Sequence, residues 1–132
     1  TTGWPSVHSL LGKVIFVLHP GNFTQMYYNL DQSLATLPMF IGGYSEGVNQ
    51  DYASFIVNNN PSIAEIAPLV AENFIVRTRI DSNLVFNATD FENAVSSGAQ
   101  ILTSDFLIGR SDIKTSDIIY LANDKMIIKK NP

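Results

Sequence analysis

Four short runs of apolar residues punctuate the chain: Lys13–His19 (KVIFVLH), Pro38–Tyr44 (PMFIGGY), Phe74–Arg79 (FIVRTR) and Gln100–Asp105 (QILTSD). Each is nearly continuous rather than alternating, the pattern of strands covered on both faces. Helical patterns lie between them. Phe23–Ala35 sets Met26, Tyr27, Leu30 and Leu34 at spacings of three and four. Ser62–Glu72 has Pro61 at a first helical position and an apolar stripe of Ile63, Ile66, Leu69 and Val70, with Pro68 expected to kink or shorten it. A third helix opens on a capping box, Thr89-Asp90-Phe91-Glu92, presents Phe91, Ala94 and Val95 on one face, and stops at Gly98. The order strand, helix, strand, helix, strand, helix, strand predicts an α/β fold with a parallel sheet and right-handed crossovers, either doubly wound or part of a (β/α) barrel. The tail, Ile118–Lys129, reads as two short strands around a turn at Asn123-Asp124.

The third run carries charge where more apolar residues are expected. In FIVRTRIDS, Arg77 and Arg79 share one face while Val76 and Thr78 share the other. A buried, unpaired charge costs several kcal/mol, so the arginine face must meet water, an acidic group or an anionic ligand. Polar groups also gather at the ends of the runs: His19; Tyr44, followed by Ser45 and Glu46; Arg79 with Asp81; Ser104 with Asp105. In parallel α/β folds the ligand site lies at the carboxyl ends of the strands. Arg77 and Arg79 suit a phosphate ester or a salt bridge to Asp81 or Asp105. Glu46, Asp81 and Asp105 are oxygen donors of the kind that hold calcium or magnesium, without the spacing of an EF-hand loop. No GxGxxG, Walker A, GxSxG or HExxH pattern occurs. Of the two histidines, His8 reads as a surface residue and His19 has the better position, although one histidine does not supply both acid and base.

Composition narrows the partners. The 132 residues fit one domain over positions 1–132, 45% hydrophobic and 15% charged. With a net charge of -4 and no basic run beyond Lys129-Lys130, nucleic acid is not an expected partner. No apolar run approaches the roughly 20 residues that cross a bilayer, and without a signal peptide before Thr1 the chain is expected to be cytosolic or already processed. Cysteine is absent. The sequons at Asn22 and Asn87 tilt the expectation toward a secreted or extracellular glycoprotein.

Several of these pieces also occur together in a known family. Gly12-Lys13-Val14-Ile15-Phe16-Val17-Leu18, Asn60-Pro61, Val76-Arg77-Thr78-Arg79-Ile80-Asp81, Ser97-Gly98-Ala99-Gln100, Thr103-Ser104-Asp105-Phe106 and Asn131-Pro132 follow in order along the chain. In this the sequence resembles the C-terminal half of the calcium-dependent phosphoinositide-specific phospholipase C family, phosphodiesterases with a TIM-barrel fold. The resemblance implies four of eight strand-helix units, with Phe74–Arg79 as the seventh strand, completed by an N-terminal half or by a second copy. It implies phosphodiester cleavage through attack by an inositol 2-hydroxyl, with the catalytic histidines and most calcium ligands in the N-terminal half. Within this chain, Arg79, Asp81 and His19 are then the catalytic candidates. Arg77, Arg79 and Tyr44 are the candidates for substrate binding, and Asp105 is the candidate metal ligand. The implied partners are a phosphoinositide or related phosphodiester, and a membrane surface. Ile80, Phe106, His19 and Lys130 depart from the family pattern. The departures at His19 and Lys130, the low charge and the absence of a histidine pair favour an alternative, a barrel relative without activity that serves as a structural or binding module. A third reading is a free-standing doubly wound domain of about four strands that binds a small anion.

Overall fold

A computed structural model describes residues 3–45, 48, 50–82 and 85–105. Glu46, Phe106, Lys130, the Asn131-Pro132 end and the hairpin expected over Ile118–Lys129 lie outside the described residues. The main sheet has five strands, β1 (Val17–Leu18), β2 (Phe40–Tyr44), β3 (Ala53–Asn58), β4 (Ile75–Arg79) and, after the small antiparallel pair β5 (Asp81–Ser82) and β6 (Val85–Phe86), β7 (Ile101–Thr103). All neighbours in it are parallel, in the order β1-β2-β3-β4-β7. Strand order therefore follows chain order without the reversal that defines a doubly wound sheet, which removes that reading.

β1 and β7 are opposite edges of this sheet, yet Val17 and His19 from one side and Ile101 from the other line the same cavity, of about 310 Å³. A flat sheet would hold those edges about 19 Å apart at roughly 4.8 Å per strand. The sheet is curled into an open half-barrel. Its convex face is covered by α3 (Ile63–Ala71) and α4 (Ala88–Ser96), and there Ile56, Ile66, Leu69, Val76 and Ala99 form the core. Burial of side chains of this size is worth about 1.5–3 kcal/mol each for valine, leucine and isoleucine.

Among the described residues the main sheet has five strands where four are expected. β3 was not expected, because only Phe55, Ile56 and Val57 form its apolar centre, between Ser54 and Asn58. The first strand was expected over Lys13–His19 but pairs only at Val17–Leu18, where Phe16 O also accepts from Phe40 N at 2.9 Å. No described strand lies on its other side, and Val14, Ile15 and Phe16 are exposed.

The helices follow local chemistry. α2 was expected to run to Ala35 but spans Thr24–Tyr28. Just beyond, the Asp31 carboxylate accepts from the N–H and hydroxyl of both Ser33 and Thr36. This turn takes the backbone groups a longer helix would use, and Leu34 adopts a φ of 61°. In α3 the cap is Ser62, so Pro61 precedes the helix rather than opening it, and Pro68 sits inside without ending it. α3 closes at Asn73, φ 69°, with Asn73 N donating to Val70 O and Phe74 N to Leu69 O, the two bonds of a Schellman motif. In α4 the expected cap at Thr89 is replaced by Asn87, whose Oδ1 accepts from Thr89 N and Asp90 N. Gly98, at φ 80°, ends α4 as the sequence predicts.

At the base of the half-barrel, where the strands begin, Trp4 packs 5.4 Å from Phe40 and 5.3 Å from Phe55 between ring centroids. Its indole N–H donates to Asn73 O at 2.7 Å. A short helix, α1 (Val7–Leu10), then leads toward β1.

Candidate functional site

Because the five strands are parallel, their carboxyl ends form one mouth, and His19, Tyr44, Asn59, Arg79 and Asp105 all arrive there from strand ends or the residues just after them. The structure sorts them into three groups.

The first is built on Arg79. Its guanidinium pairs with Asp105 through Nη2 and faces Asp81 Oδ1 from Nε at 3.6 Å. Asp81 is fully buried at its side chain. Its Oδ2 accepts from the Ser104 hydroxyl at 2.5 Å and from Asp105 N at 2.9 Å, while Oδ1 has no hydrogen-bond partner among the described residues. Asp81 thus fixes both the end of β7 and the direction of Arg79. Thr103 tightens the same junction, since its hydroxyl donates to Thr78 O and its carbonyl accepts from Ile80 N.

The second group is Arg77, two residues deeper on the same concave face. It lies in register with Val57 and Ile101 and lines the 310 Å³ cavity with Val17, His19 and Phe55. Its Nη1 donates to Asn59 Oδ1 at 2.5 Å. Burial, and then repulsion from Arg79, pull the Arg77 pKa below its ordinary value, against the opposing pull of Asp105 and Asp81. Asn59 was not among the residues the sequence singled out; its only signal is its place in the Asn58-Asn59-Asn60 run after an unrecognised strand.

The third group pairs His19 with Tyr44, ring centroids 6.0 Å apart and nearly perpendicular. His19 is exposed, with Nδ1 3.0 Å from Pro20 O. Gly42 makes this approach feasible: a Cβ there would lie 3.0 Å from Leu18 O and 3.1 Å from Pro20 Cδ.

Neighbouring sequence features turn out to hold the frame. In Ser97-Gly98-Ala99-Gln100, the Ser97 hydroxyl donates to Ala94 O, Ala99 enters the core, and Gln100 Oε1 accepts from Val76 N at 2.8 Å. Gln100 so extends the β4–β7 pairing by a side chain. Beside Asn60-Pro61, buried Asn58 donates to Glu65 Oε2 at 2.9 Å, which ties β3 to α3.

A family model for Ca2+-dependent phosphoinositide phospholipase C matches residues 1–132. The chain belongs to this family. Comparison with curated proteins and with solved structures gives no match. Membership in the Ca2+-dependent phosphoinositide phospholipase C family makes the chain a phospholipase C-like domain, and the family's description implies a phosphoinositide substrate and a calcium ion. The donors described here do not fit calcium. No group of three or more potential ligands comes together among the described residues, the Asp105 carboxylate is taken by Arg79, and Asp81 Oδ2 is occupied by two hydrogen bonds. Nor is any described helix long and apolar enough to cross a membrane.

Proposed function

We propose that this chain is the C-terminal part of a phospholipase C-like phosphodiesterase acting on a phosphoinositide or related phosphodiester, within a TIM barrel that an N-terminal half completes. The observation that carries the reading is Arg79, held at the mouth by Asp81 and Asp105. A guanidinium so directed suits the charge that develops on phosphate oxygens during cleavage. Arg79 is the charge-stabilising group, Asp81 the residue that positions it, and Asp105 its counter-ion in the absence of substrate. His19 and Tyr44 border the headgroup. The bases that move protons come from the completing half.

Completion is supported by where the exposed apolar surface falls. Nine of the thirteen large apolar residues exposed among the described residues lie from Val7 to Leu30, on α1, β1, α2, the segments joining them and the turn just after α2. That side also carries the open edge of β1. A second half covers this surface and ends the exposure of the edge. In gel filtration the isolated chain should self-associate, and a stable, compact monomer would defeat completion by another half.

The test of activity uses the complete protein with phosphatidylinositol vesicles and calcium, and measures release of water-soluble inositol phosphate. Arg79→Ala should lower turnover by about 10² or more. An unchanged rate removes Arg79 from the site. A second reading, a structural or binding module without activity, is favoured by the same ion pairs, since Arg79 is already neutralised by two carboxylates. It predicts no release from the unmodified protein. We also read the chain as part of a secreted glycoprotein, because both Asn22 and Asn87 are exposed; the test is a mass shift on treatment of native material with a glycosidase.

A further inference from the structure

Arg77 differs from Arg79 in one respect that matters for what closes the half-barrel. Arg79 meets two carboxylates, whereas Arg77 has Asn59 as its hydrogen-bond partner and no ion pair among the described residues. The ionisable groups around it are His19 after β1, Arg79 on its own strand, Asp81 on β5 and Asp105 after β7. β3 contributes Val57, and the residue just after it is Asn59; neither ionises. The nearer walls, Val17, Phe55, Val57 and Ile101, are apolar. Arg77 is half-buried only because the concave face is open.

We propose that the segment completing the barrel presents an aspartate or glutamate carboxylate to Arg77, one layer below the mouth. The inference rests on completion by another half and goes beyond it by naming the chemistry of the contact. The occupant is a side chain rather than a substrate phosphate because a (β/α) barrel interior is filled by layers of side chains and is not a pore. Arg77 lies in the layer of Val57 and Ile101, two residues below Arg79. Strands added beside β1 and β7 must fill that layer with their own inward residues. A guanidinium closed into it without an anion would carry the cost of an unpaired buried charge. A carboxylate opposite supplies both the charge and a bidentate acceptor for the donors Asn59 leaves free.

The experiment compares thermal unfolding of the complete protein with its Arg77→Met and Arg77→Lys variants between pH 5 and 8. Removing one member of a buried pair strands the other, so Arg77→Met should unfold about 10 °C lower at pH 7.5. The stranded carboxylate has a raised folded-state pKa, so its protonation on folding stabilises the variant as pH falls. The gap between Arg77→Met and the unmodified protein should therefore narrow toward pH 5. His19 is present in all three proteins and cancels in the difference; the same comparison in a His19→Asn background checks this. Arg77→Lys, which keeps the charge, should show a smaller gap that does not narrow. If Arg77→Met does not fold at pH 7.5, folding restored at pH 5 supports the proposal equally. A methionine variant as stable as the unmodified protein, or a gap independent of pH, overturns it. So does a Tm that is unchanged without ligand while soluble inositol phosphate loses its stabilising effect, since the anion is then the substrate's phosphate. Failure of completion itself is read separately, from a complete protein in which this chain forms a compact monomer after proteolytic release.

Discussion

Arg79 and Asp105 meet across the β4–β7 ladder, and the carboxylate that sets up their meeting is a third one, Asp81. By accepting from the Ser104 hydroxyl and from Asp105 N, Asp81 holds the residues after β7 within reach of the guanidinium two positions before it. The mouth is organised from beneath, by a group with no exposed side-chain surface.

Asp81→Ala therefore tests the frame. Truncation removes the one oxygen, Oδ2, that accepts from both the Ser104 hydroxyl and Asp105 N at this buried junction. The expected loss is about 2–3 kcal/mol of stability, measured by urea unfolding. A loss below about 0.5 kcal/mol would show that Asp81 is not the organising group.

Arg79→Lys separates charge from geometry. Lysine keeps the positive charge but loses the fork that reaches Asp81 and Asp105 together. If Arg79 works by direction, kcat for phosphatidylinositol cleavage should fall nearly as far with lysine as with alanine, with little change in KM. Full activity with lysine would mean that a point charge suffices.

Gly42→Ala should disturb the mouth from outside it. The added methyl group meets Leu18 O and Pro20 Cδ, so the end of β1 must shift. Overpacking of this kind costs about 1–3 kcal/mol. The His19–Tyr44 contact should loosen with it, visible as a changed His19 ring resonance in NMR.

Asp31 provides a pH test away from the site. Hydrogen bonds from the Ser33 and Thr36 hydroxyls, in that order, and from their backbone hold its carboxyl well below the usual aspartate range. A depressed folded-state pKa stabilises above the unfolded value, and the effect is lost as pH falls through the folded one. The Ser33 and Thr36 amide resonances should thus stay in place through pH about 3.9, where an ordinary aspartate is half protonated. Movement of both amides centred there would refute the turn as described.

Asn87 is both the cap of α4 and the first residue of a sequon, and substitution can part the two. Asn87→Asp keeps a side-chain acceptor for Thr89 N and Asp90 N, so α4 should keep its stability, while Asn87→Ala should cost about 1 kcal/mol. Both remove the sequon. If Asn87 is glycosylated, both lose the same mass and only the alanine variant loses Tm.

What the sequence discloses depends on how local the cause is. α3 is legible from its apolar stripe, although Pro61 precedes the helix and Ser62 caps it, and α4 from its stripe and its stop at Gly98, although its cap is Asn87 rather than Thr89. β4 is legible down to the arginine face, since alternation alone places Arg77 and Arg79 together. The Arg79, Asp81 and Asp105 cluster follows from strand direction. β3 was hidden because its apolar centre is three residues long, and with it Asn59 stayed hidden as the partner of Arg77. α2 ends early through one carboxylate and two hydroxyls, a competition that apolar spacing does not register. Gln100 opens the fourth run, but its side chain's part in the sheet is not legible there, because the acceptor role exists only once β4 lies beside it.

The packing of Trp4 has an optical consequence. It is the chain's one tryptophan, and it sits against Phe40 and Phe55 at the end of the half-barrel opposite the arginines. Its emission is a built-in reporter of the base, and Phe55, which also lines the cavity of Arg77, is the one ring between them. A change of fluorescence on filling that cavity would show how far the middle layer of the sheet passes strain down to its base.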